Sequence, residues 1–216
     1  MPVRKVPLVS GNTYHIFTKT IAGFKVFNHS GEYRRMVDTV AYYSIAENRC
    51  KFSLFNKSNG KMPFYNRHSK KIVRILAYCL MPTHIHLVLQ QKVDDGIGTF
   101  MSLVLKSYSK YFNLKYKRKG PLWEGRFKNV LVETDQQLLH LTRYIHLNPV
   151  TAYLVDSPDE WPFSSFKEFV SSGDPFKRIC EFNDMLEIEP ESYRIFVNDN
   201  ISYQRELAGI KELFLE

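Results

Sequence analysis

A pair of histidines, His84 and His86, stands inside an apolar run that extends from Met81 to Leu89. Apolar residues on both sides of the pair predict a strand, in which every second side chain lies on the same face. The two imidazoles would then point in the same direction, with their Cα atoms about 7 Å apart. Neutral imidazole is a good ligand for divalent metals, so the pair could supply two ligands of a metal site. A solvated strand face with two histidines is the alternative, and the pattern alone leaves both open.

A second candidate group lies on a helix predicted farther along the chain. Thr134 and Gln137 form a capping-box pattern, and apolar residues at helical spacing follow them. Tyr144 and Asn148 are four residues apart, so they would share one face of this helix and could face the histidine strand. Pro149 predicts that the helix ends near Asn148. Tyrosine is common on helix flanks and Asn before Pro is an ordinary helix stop, so this helix alone does not define a site.

The sequence around these two groups predicts short strands alternating with helices. His15 lies on the first predicted strand, but a lone strand histidine is more often structural, and we leave it outside the candidate site. The segment 52–69 carries turn residues and predicts a long irregular loop. The predicted strands are 13–19, 72–80, 84–90 and 126–133, and the predicted helices are 30–48, 100–114, 134–148 and a short segment after Ser165.

The composition limits the class of protein. A chain of 216 residues with 44% hydrophobic residues can form one good hydrophobic core. No signal peptide is evident and no apolar run approaches the roughly 20 residues of a membrane span, so we expect a soluble, cytoplasmic protein. The net charge of +8 predicts a polyanionic partner, either nucleic acid or an anionic membrane surface.

Basic and aromatic residues alternate between the second predicted helix and the last predicted strand. The cations are opposed in this segment only by Glu124, and the aromatic residues among them include Trp123. Such a pattern predicts binding of single-stranded DNA, in which phosphates contact the cations and bases stack on the rings. The alternative, in which the rings belong to the core and the cations to a solvated face, is equally compatible with the pattern. The cations are Lys106, Lys110, Lys115, Lys117, Arg118, Lys119, Arg126 and Lys128.

Several longer motifs occur together and in order along the chain. They include Met81-Pro82-Thr83-His84-Ile85-His86, Arg143-Tyr144-Ile145-His146-Leu147-Asn148-Pro149 and Trp161-Pro162-Phe163-Ser164-Ser165-Phe166. This combination resembles the HUH single-strand DNA endonucleases with one catalytic tyrosine. It is most similar to the REP-associated tyrosine transposases and the related small insertion-sequence transposases. The resemblance covers about residues 13 to 170, and it is far more specific than the histidine pair alone.

The resemblance implies an α+β fold, with a ferredoxin-like antiparallel sheet backed by helices and a catalytic tyrosine helix. It implies that His84 and His86 bind Mg²⁺ or Mn²⁺ and that Tyr144 is the nucleophile. Asn148 corresponds to the position of the third metal ligand in that family. The catalytic domain is expected over residues 1–172, followed by an acidic, helical C-terminal appendage over residues 173–216.

The implied reaction is the nicking and rejoining of single-stranded DNA through a 5′-phosphotyrosine intermediate, with hairpin repeat DNA as the expected substrate. One ester replaces another, so the reaction needs no ATP, and the sequence lacks the nucleotide-binding pattern GxxxxGK[ST]. Two alternatives stay open: a DNA-binding protein that keeps the fold without cleaving, and a metal-dependent hydrolase that uses water in place of Tyr144. No membrane partner is expected, and the sequence is compatible with a monomer or a homodimer.

Overall fold

The computed structural model describes residues 7–48, 51–57, 69–173 and 178–213. The strands are β1 (Thr13–Lys19), β2 (Val73–Met81), β3 (His84–Gln91) and β4 (Lys128–Val132). The helices are α1 (Ser30–Tyr43), α2 (Phe52–Lys57), α3 (Gly96–Lys115), α4 (Asp135–Thr151), α5 (Phe166–Phe169), α6 (Pro190–Asn198) and α7 (Ile201–Leu213). The predicted loop 52–69 thus begins with a short helix, and residues 58–68 of it lie outside the described ranges. Within those ranges, no helix combines the length and the apolar character that crossing a bilayer requires.

The strands form one antiparallel sheet in the order β2-β3-β1-β4. β1 is central and pairs with β3 on one side and with β4 on the other. Because α1 connects β1 to β2 and α3 connects β3 to β4, the core follows the βαββαβ order of ferredoxin-like folds. The α+β fold with a ferredoxin-like antiparallel sheet, expected from the sequence, is confirmed.

The two faces of the sheet have different coverings. On one face, Tyr14 and Ile16 of β1 are fully buried. Gln91 of β3 accepts a hydrogen bond from the backbone N–H of Ile97 on that side, at 3.1 Å, which places the start of α3 there. α1 packs against α3 in the same layer. The other face carries the candidate histidines and is covered in part by α4, which contacts β2 and β4.

A buried carboxylate joins α1 to α3. Glu32, in the first turn of α1, is fully buried and forms a capping box with His29. Lys115 at the end of α3 donates to the carboxylate at 2.7 Å, and the Tyr116 hydroxyl donates to the same oxygen. Burial alone would raise the pKa of Glu32, but these hydrogen bonds hold it below its ordinary value. Lys115, which the sequence assigned to DNA binding, therefore has a partner within the fold.

α4 begins where the sequence predicts and ends later. Thr134 is the N-cap, and its side chain accepts a hydrogen bond from the backbone N–H of Gln137 at 3.1 Å. The predicted end near Asn148 is wrong, because Pro149 and Val150 belong to the last turn of the helix. Proline removes one backbone donor at this point. Val150 is fully buried in the core, and this burial offsets the lost hydrogen bond.

The chain after α4 returns to the sheet and covers the outer edge of β2. The backbone N–H of Leu80 donates to the carbonyl of Phe163, and the N–H of Ser165 donates to the carbonyl of Tyr78, both at 2.9 Å. These bonds satisfy backbone groups that an edge strand would otherwise expose. β4, at the opposite end of the sheet, has no neighbouring strand on its outer side among the described residues.

The C-terminal helices share the core of the sheet. Phe182 stacks on Phe169 with ring centroids 3.7 Å apart, and Tyr193 of α6 is fully buried in the same apolar cluster. Two acidic residues after 173 form ion pairs with the β2 region: Glu181 with Lys71, and Asp184 with Arg74. The expected boundary between residues 172 and 173 stays a prediction, while the apolar side chains on both sides of it pack together.

A buried histidine connects α4 to its neighbours. His146 is fully buried. Its Nδ1 lies 2.7 Å from the Tyr193 hydroxyl and its Nε2 lies 2.8 Å from Ser165 Oγ. Ser165 Oγ in turn accepts the backbone N–H of Tyr78 in β2 at 2.9 Å. The helix that carries Tyr144 is thus hydrogen-bonded through one side chain to α6, to the start of α5 and, indirectly, to the sheet.

This burial predicts a specific loss of stability in acid. Burial lowers the pKa of His146 to about 3, against an ordinary value of 6.5. Above pH 6.5 neither the folded nor the unfolded chain protonates this imidazole, so the stability from keeping it neutral is fully present. Between pH 6.5 and about 3 only the unfolded chain binds the proton, so the free energy of unfolding decreases progressively as the pH falls across this interval. One proton corresponds to about 1.4 kcal/mol per pH unit in the free energy of unfolding. Urea denaturation between pH 6 and 4 should therefore depend less steeply on pH in His146→Gln than in the wild type.

His140 provides the matched control for this measurement. It lies exposed on the same helix, so His140→Gln shows how much of any change in slope comes from replacing a histidine of α4 and not from replacing a buried one. Equal slopes for His146→Gln and the wild type would contradict the prediction.

Candidate active site

The predicted histidine pair lies on the sheet face that α4 partly covers. His84 and His86 alternate with Ile85, which is fully buried on the opposite face. Their ring centroids are 5.1 Å apart and their planes are nearly perpendicular, at 86°. In the antiparallel pairing with β1, His84 is opposite Lys19 and His86 is opposite Phe17. The two imidazoles therefore share one face, as the alternation of the strand predicts.

A third histidine belongs to the same group. The Nε2 atom of His15 on β1 lies 2.9 Å from Nδ1 of His86, within hydrogen-bond distance. The two rings are nearly parallel, with centroids 5.1 Å apart and planes at 19°. The sequence predicts a structural role for His15, outside the site, whereas the structure places it beside His86. The alternation of His15 with Phe17 was visible in the sequence, but the register that brings β1 against His86 was not.

All three imidazoles are held in their neutral form. Burial lowers the pKa of His15 and of His84 to about 4, and the charge of Lys19 contributes at His84. Burial also lowers the pKa of His86 well below its ordinary value, with further contributions from the two neighbouring histidines and Lys19. Neutral imidazole has a free lone pair on one nitrogen. The site therefore offers metal-ligating nitrogens at neutral pH without first losing protons.

Tyr144 of α4 lies over this histidine group. Its ring is edge-on to His86, with centroids 6.1 Å apart, and edge-on to His15 at 6.4 Å. Tyr144 is 42% exposed, so it is only partly covered by the rest of the protein. The structure brings together residues of β1, β3 and α4 that are far apart in the sequence, and it places Tyr144 where the sequence predicts it.

Asn148 lies one turn after Tyr144 on the same helix. Its amide nitrogen donates to the backbone carbonyl of Tyr144 at 3.0 Å. The amide oxygen is the atom of this side chain that can bind a cation, and the hydrogen bond of the nitrogen limits how the amide can rotate. The assignment of Asn148 as a metal ligand stays a prediction.

The donor set fits a divalent cation with open coordination positions. His84 and His86 provide two neutral nitrogens, and Asn148 can provide an amide oxygen. In the ranges that the structure covers, no three His, Cys, Asp or Glu side chains are grouped as a complete ligand set. Further ligands would therefore come from water or from a substrate phosphate. Imidazole nitrogens combined with oxygen donors suit Mn²⁺ better than Mg²⁺.

Two lysines flank the histidines on the same sheet face. Lys19 is opposite His84 in the β1–β3 pairing, and Lys128 of β4 is opposite Phe17 in the β1–β4 pairing. Because paired residues point to the same face, both cations lie on the side of His86. Both side chains are exposed. The sequence does not indicate a DNA-binding role for Lys19.

The basic segment, residues 106–128 with the predicted DNA-binding cations, reaches the site along the end of β1. The backbone N–H of Ile21 donates to the carbonyl of Leu122 at 3.0 Å, and the N–H of Glu124 donates to the carbonyl of Lys19 at 2.9 Å. The chain that leads to Lys128 therefore runs directly beside Lys19. The exposed cations of the basic segment include Lys117, Lys119, Arg126 and Lys128.

Other members of the predicted DNA-binding set have different surroundings. Trp123 is 8% exposed and donates its indole N–H to Ser109 Oγ at 3.0 Å, so its ring belongs to the core. Arg118 donates to the backbone carbonyl of Pro121 at 3.0 Å. Lys106 and Lys110 line a cavity of about 560 Å³ beside α1 and α3, in the layer opposite the histidines.

The central part of the chain matches a known family of transposases. Residues 57–148 match the family described as IS200-like transposase. A candidate REP-associated tyrosine transposase from Haemophilus influenzae is 32% identical over 108 residues, which cover 45% of this chain and 61% of that protein. A REP-associated tyrosine transposase from Escherichia coli K12 is 27% identical over 100 residues, which cover 46% of this chain and 58% of that protein. The chain thus spans about three fifths of the length of these curated relatives.

A solved structure supports the same relationship at the level of the fold. A REP-associated tyrosine transposase bound to a REP hairpin superposes with a TM-score of 0.53 and 18% identity, over 84% of this chain and 95% of that one. At this identity the likeness concerns the fold alone. With the family match and the two relatives, it confirms the similarity to REP-associated tyrosine transposases that the motifs indicate.

Proposed function

We propose that this relative of the REP-associated tyrosine transposases is itself a transposase that nicks and rejoins single-stranded DNA. Tyr144 is the nucleophile, His84 and His86 hold a divalent cation, and the covalent intermediate is a 5′-phosphotyrosine. The observation that carries the proposal is the position of Tyr144, half exposed and edge-on to His86 at 6.1 Å between ring centroids. A hydrolase that uses water would not require a tyrosine at this place.

The reaction is an exchange of one phosphate ester for another. Tyr144 Oη attacks the phosphorus, the bond from phosphorus to the 3′ oxygen breaks, and the 3′ oxygen takes up a proton from solvent and leaves as a hydroxyl. The phenolic proton passes to solvent, to which the 42% exposed side chain is open. In the reverse direction a 3′-hydroxyl attacks the phosphotyrosine and restores the tyrosine. Cutting and joining conserve the ester bond, so neither requires a nucleotide cofactor.

His84 and His86 would hold the cation through neutral imidazole, with Asn148 as a candidate third ligand. A bound Mg²⁺ or Mn²⁺ acts as a Lewis acid that reduces the negative charge an attacking oxygen meets at the phosphate. Burial of the imidazoles keeps them available as ligands. The helix and the strand hold Tyr144 and the two histidines at fixed positions, so that the phenol is already close to a phosphate ester bound at the cation.

Lys19 and Lys128 would bind phosphates next to the scissile one. Both are exposed cations on the histidine face, and they lie on adjacent strands. Lysine binds phosphate as a mobile point charge and reads no sequence. Hairpin DNA is the proposed substrate, in keeping with the REP hairpin in the solved relative. The bases of the hairpin would have to be read by other groups.

The proposal is tested by trapping the covalent intermediate. The full chain is incubated with Mn²⁺ and a DNA strand that carries a hairpin repeat from beside its own gene, labelled on the 3′ side of the cut. Under denaturing conditions the label should migrate with the protein. Cleavage without an adduct would favour a water-using hydrolase, and DNA binding without cleavage would favour a DNA-binding protein that retains the fold.

Binding of the DNA backbone predicts a defined salt dependence. Each phosphate that a lysine neutralises contributes about −0.7 to the slope of log affinity against log salt for single strands. Replacing Lys117, Lys119 and Lys128 together by Ala should weaken binding to every sequence and flatten this slope by up to about 2. Fluorescence anisotropy over a range of salt concentrations measures both quantities.

The choice of residues avoids cations that support the fold. Arg118 and Lys115 are left in place because they hydrogen-bond to Pro121 and Glu32. Lys167→Ala is the control, since it removes an exposed cation on α5 that the proposal does not assign to DNA. A triple variant with wild-type affinity and slope would move the DNA path away from this segment.

A further inference from the structure

We propose that His15 and Thr83 are positioning residues that fix the two candidate ligand imidazoles in the tautomer that can bind a metal through Nε2. His15 acts on His86 and Thr83 acts on His84. The inference rests on the proposed metal site and adds to it: neither residue belongs to the histidine pair, to the tyrosine or to the basic segment assigned from the sequence.

His86 has one nitrogen already engaged. Its Nδ1 lies 2.9 Å from His15 Nε2, so Nε2 is the only nitrogen of His86 left for a metal. The hydrogen bond can be made in two ways. If His15 donates, neutral His86 must carry its proton on Nε2, which then has no lone pair. If His86 donates from Nδ1, its Nε2 is free to bind.

His15 is suited to the accepting role. It is a neutral, mostly buried imidazole whose own proton can sit on Nδ1 while Nε2 accepts. The two ring planes are nearly parallel, at 19°, and rotation of the His86 ring would break the contact between the two nitrogens. The β1–β3 pairing holds both backbones. A hydrogen bond of this kind to the second nitrogen raises the basicity of a ligating imidazole and fixes its orientation.

Thr83 has the same relation to His84. Its Oγ1 lies 3.1 Å from His84 Nδ1, and a hydroxyl can accept the Nδ1–H of the neutral ring. His84 would then also present Nε2. Each of the two imidazoles thus has one nitrogen engaged by a neighbour within the protein, and each presents the same remaining nitrogen. If the two histidines only lay on a solvated strand face, there would be no reason for both to have Nδ1 engaged and Nε2 free.

The test is Mn²⁺ affinity, measured by calorimetry on the full chain. His15→Phe keeps a ring at the position and removes the acceptor, and we expect it to weaken Mn²⁺ binding by about 10- to 100-fold. His15→Gln places an amide oxygen that can accept, and it should recover part of the loss. Thr83→Val, which is nearly isosteric, should weaken binding in the same direction.

Phe17→Leu is the matched control. Phe17 also lies beside His86, with ring centroids 6.0 Å apart, but its side chain has no group that can form a hydrogen bond with the imidazole. This variant should bind Mn²⁺ as the wild type does. Thermal melting of each variant separates loss of the hydrogen bond from loss of the fold.

The outcomes separate this inference from the proposed function. Wild-type affinity in His15→Phe, or no recovery in His15→Gln, would overturn the role of His15 and leave the metal site standing. A wild-type chain that binds no Mn²⁺ would overturn both. Nitrogen-15 NMR of the imidazoles in the metal-free wild type gives a reading without any variant. His86 should be protonated at Nδ1, and a proton on Nε2 would contradict the inference.

Discussion

Replacing Tyr144 with Phe is expected to abolish the covalent protein–DNA adduct while DNA affinity stays close to that of the wild type. Only the hydroxyl is removed, and the ring can keep its edge-on contacts with His15 and His86. Loss of the proposed nucleophile should lower the rate of adduct formation by more than about 10⁴-fold, the scale on which such losses are measured in other enzymes. Denaturing gels follow the adduct and fluorescence anisotropy follows binding.

Tyr153→Phe is the control for this experiment. Tyr153 follows α4 and is 72% exposed, so it is more accessible than Tyr144 and lacks ring contacts with the histidine group. Its substitution should leave adduct formation unchanged. An adduct that persists in Tyr144→Phe would assign the nucleophile to another tyrosine. Tyr108 is a poor candidate, because it is fully buried and its hydroxyl donates to the carbonyl of Val26 at 2.6 Å.

Removal of His84 or His86 should also abolish the covalent adduct, but through loss of metal binding and not through loss of the hydroxyl. His84→Ala and His86→Ala each delete a proposed ligand, and we expect Mn²⁺ affinity to fall by at least about 100-fold, a larger loss than removal of a supporting hydrogen bond causes. Adduct formation should fall to background at Mn²⁺ concentrations that saturate the wild type. Calorimetry and the gel assay report these two effects separately.

Excess metal provides a further distinction between the two kinds of variant. Raising the Mn²⁺ concentration should restore part of the adduct in a histidine variant, because the chemistry still has its tyrosine. It should restore nothing in Tyr144→Phe. His140→Ala, which removes an exposed histidine from α4, should behave as the wild type in both assays. Unchanged Mn²⁺ affinity in both His84→Ala and His86→Ala would remove the metal assignment.

Local patterns in the sequence predicted the elements that carry the site. Apolar residues alternate with His84 and His86 along their strand. At the start of α4, the side chain of Thr134 accepts a hydrogen bond from the backbone N–H of Gln137. Both signals depend on residues close together in the chain. The end of α4 was predicted wrongly because Pro149 is a strong local signal, whereas the burial of Val150 depends on the rest of the fold.

Contacts between distant residues account for the features of the site that the sequence does not reveal. His15 joins the site only because β1 pairs with β3 in one register, which a single sequence does not reveal. Similarly, the sequence shows that Lys115 is a cation near other cations. It does not show that Lys115 has a buried partner, Glu32, on a helix formed much earlier in the chain. A count of charges therefore overestimates the cations that are free to meet DNA.

The hydrogen bonds of His146 have an evolutionary consequence. Its two ring nitrogens meet the Tyr193 hydroxyl and Ser165 Oγ, so one side chain has partners in two separate parts of the chain. Substitution of Tyr193 or Ser165 by an apolar residue removes the partner of one ring nitrogen of the buried His146. These positions should therefore change together among relatives. A lineage that loses α6 should replace His146 with an apolar residue, and one that keeps the histidine should keep a hydroxyl at position 193.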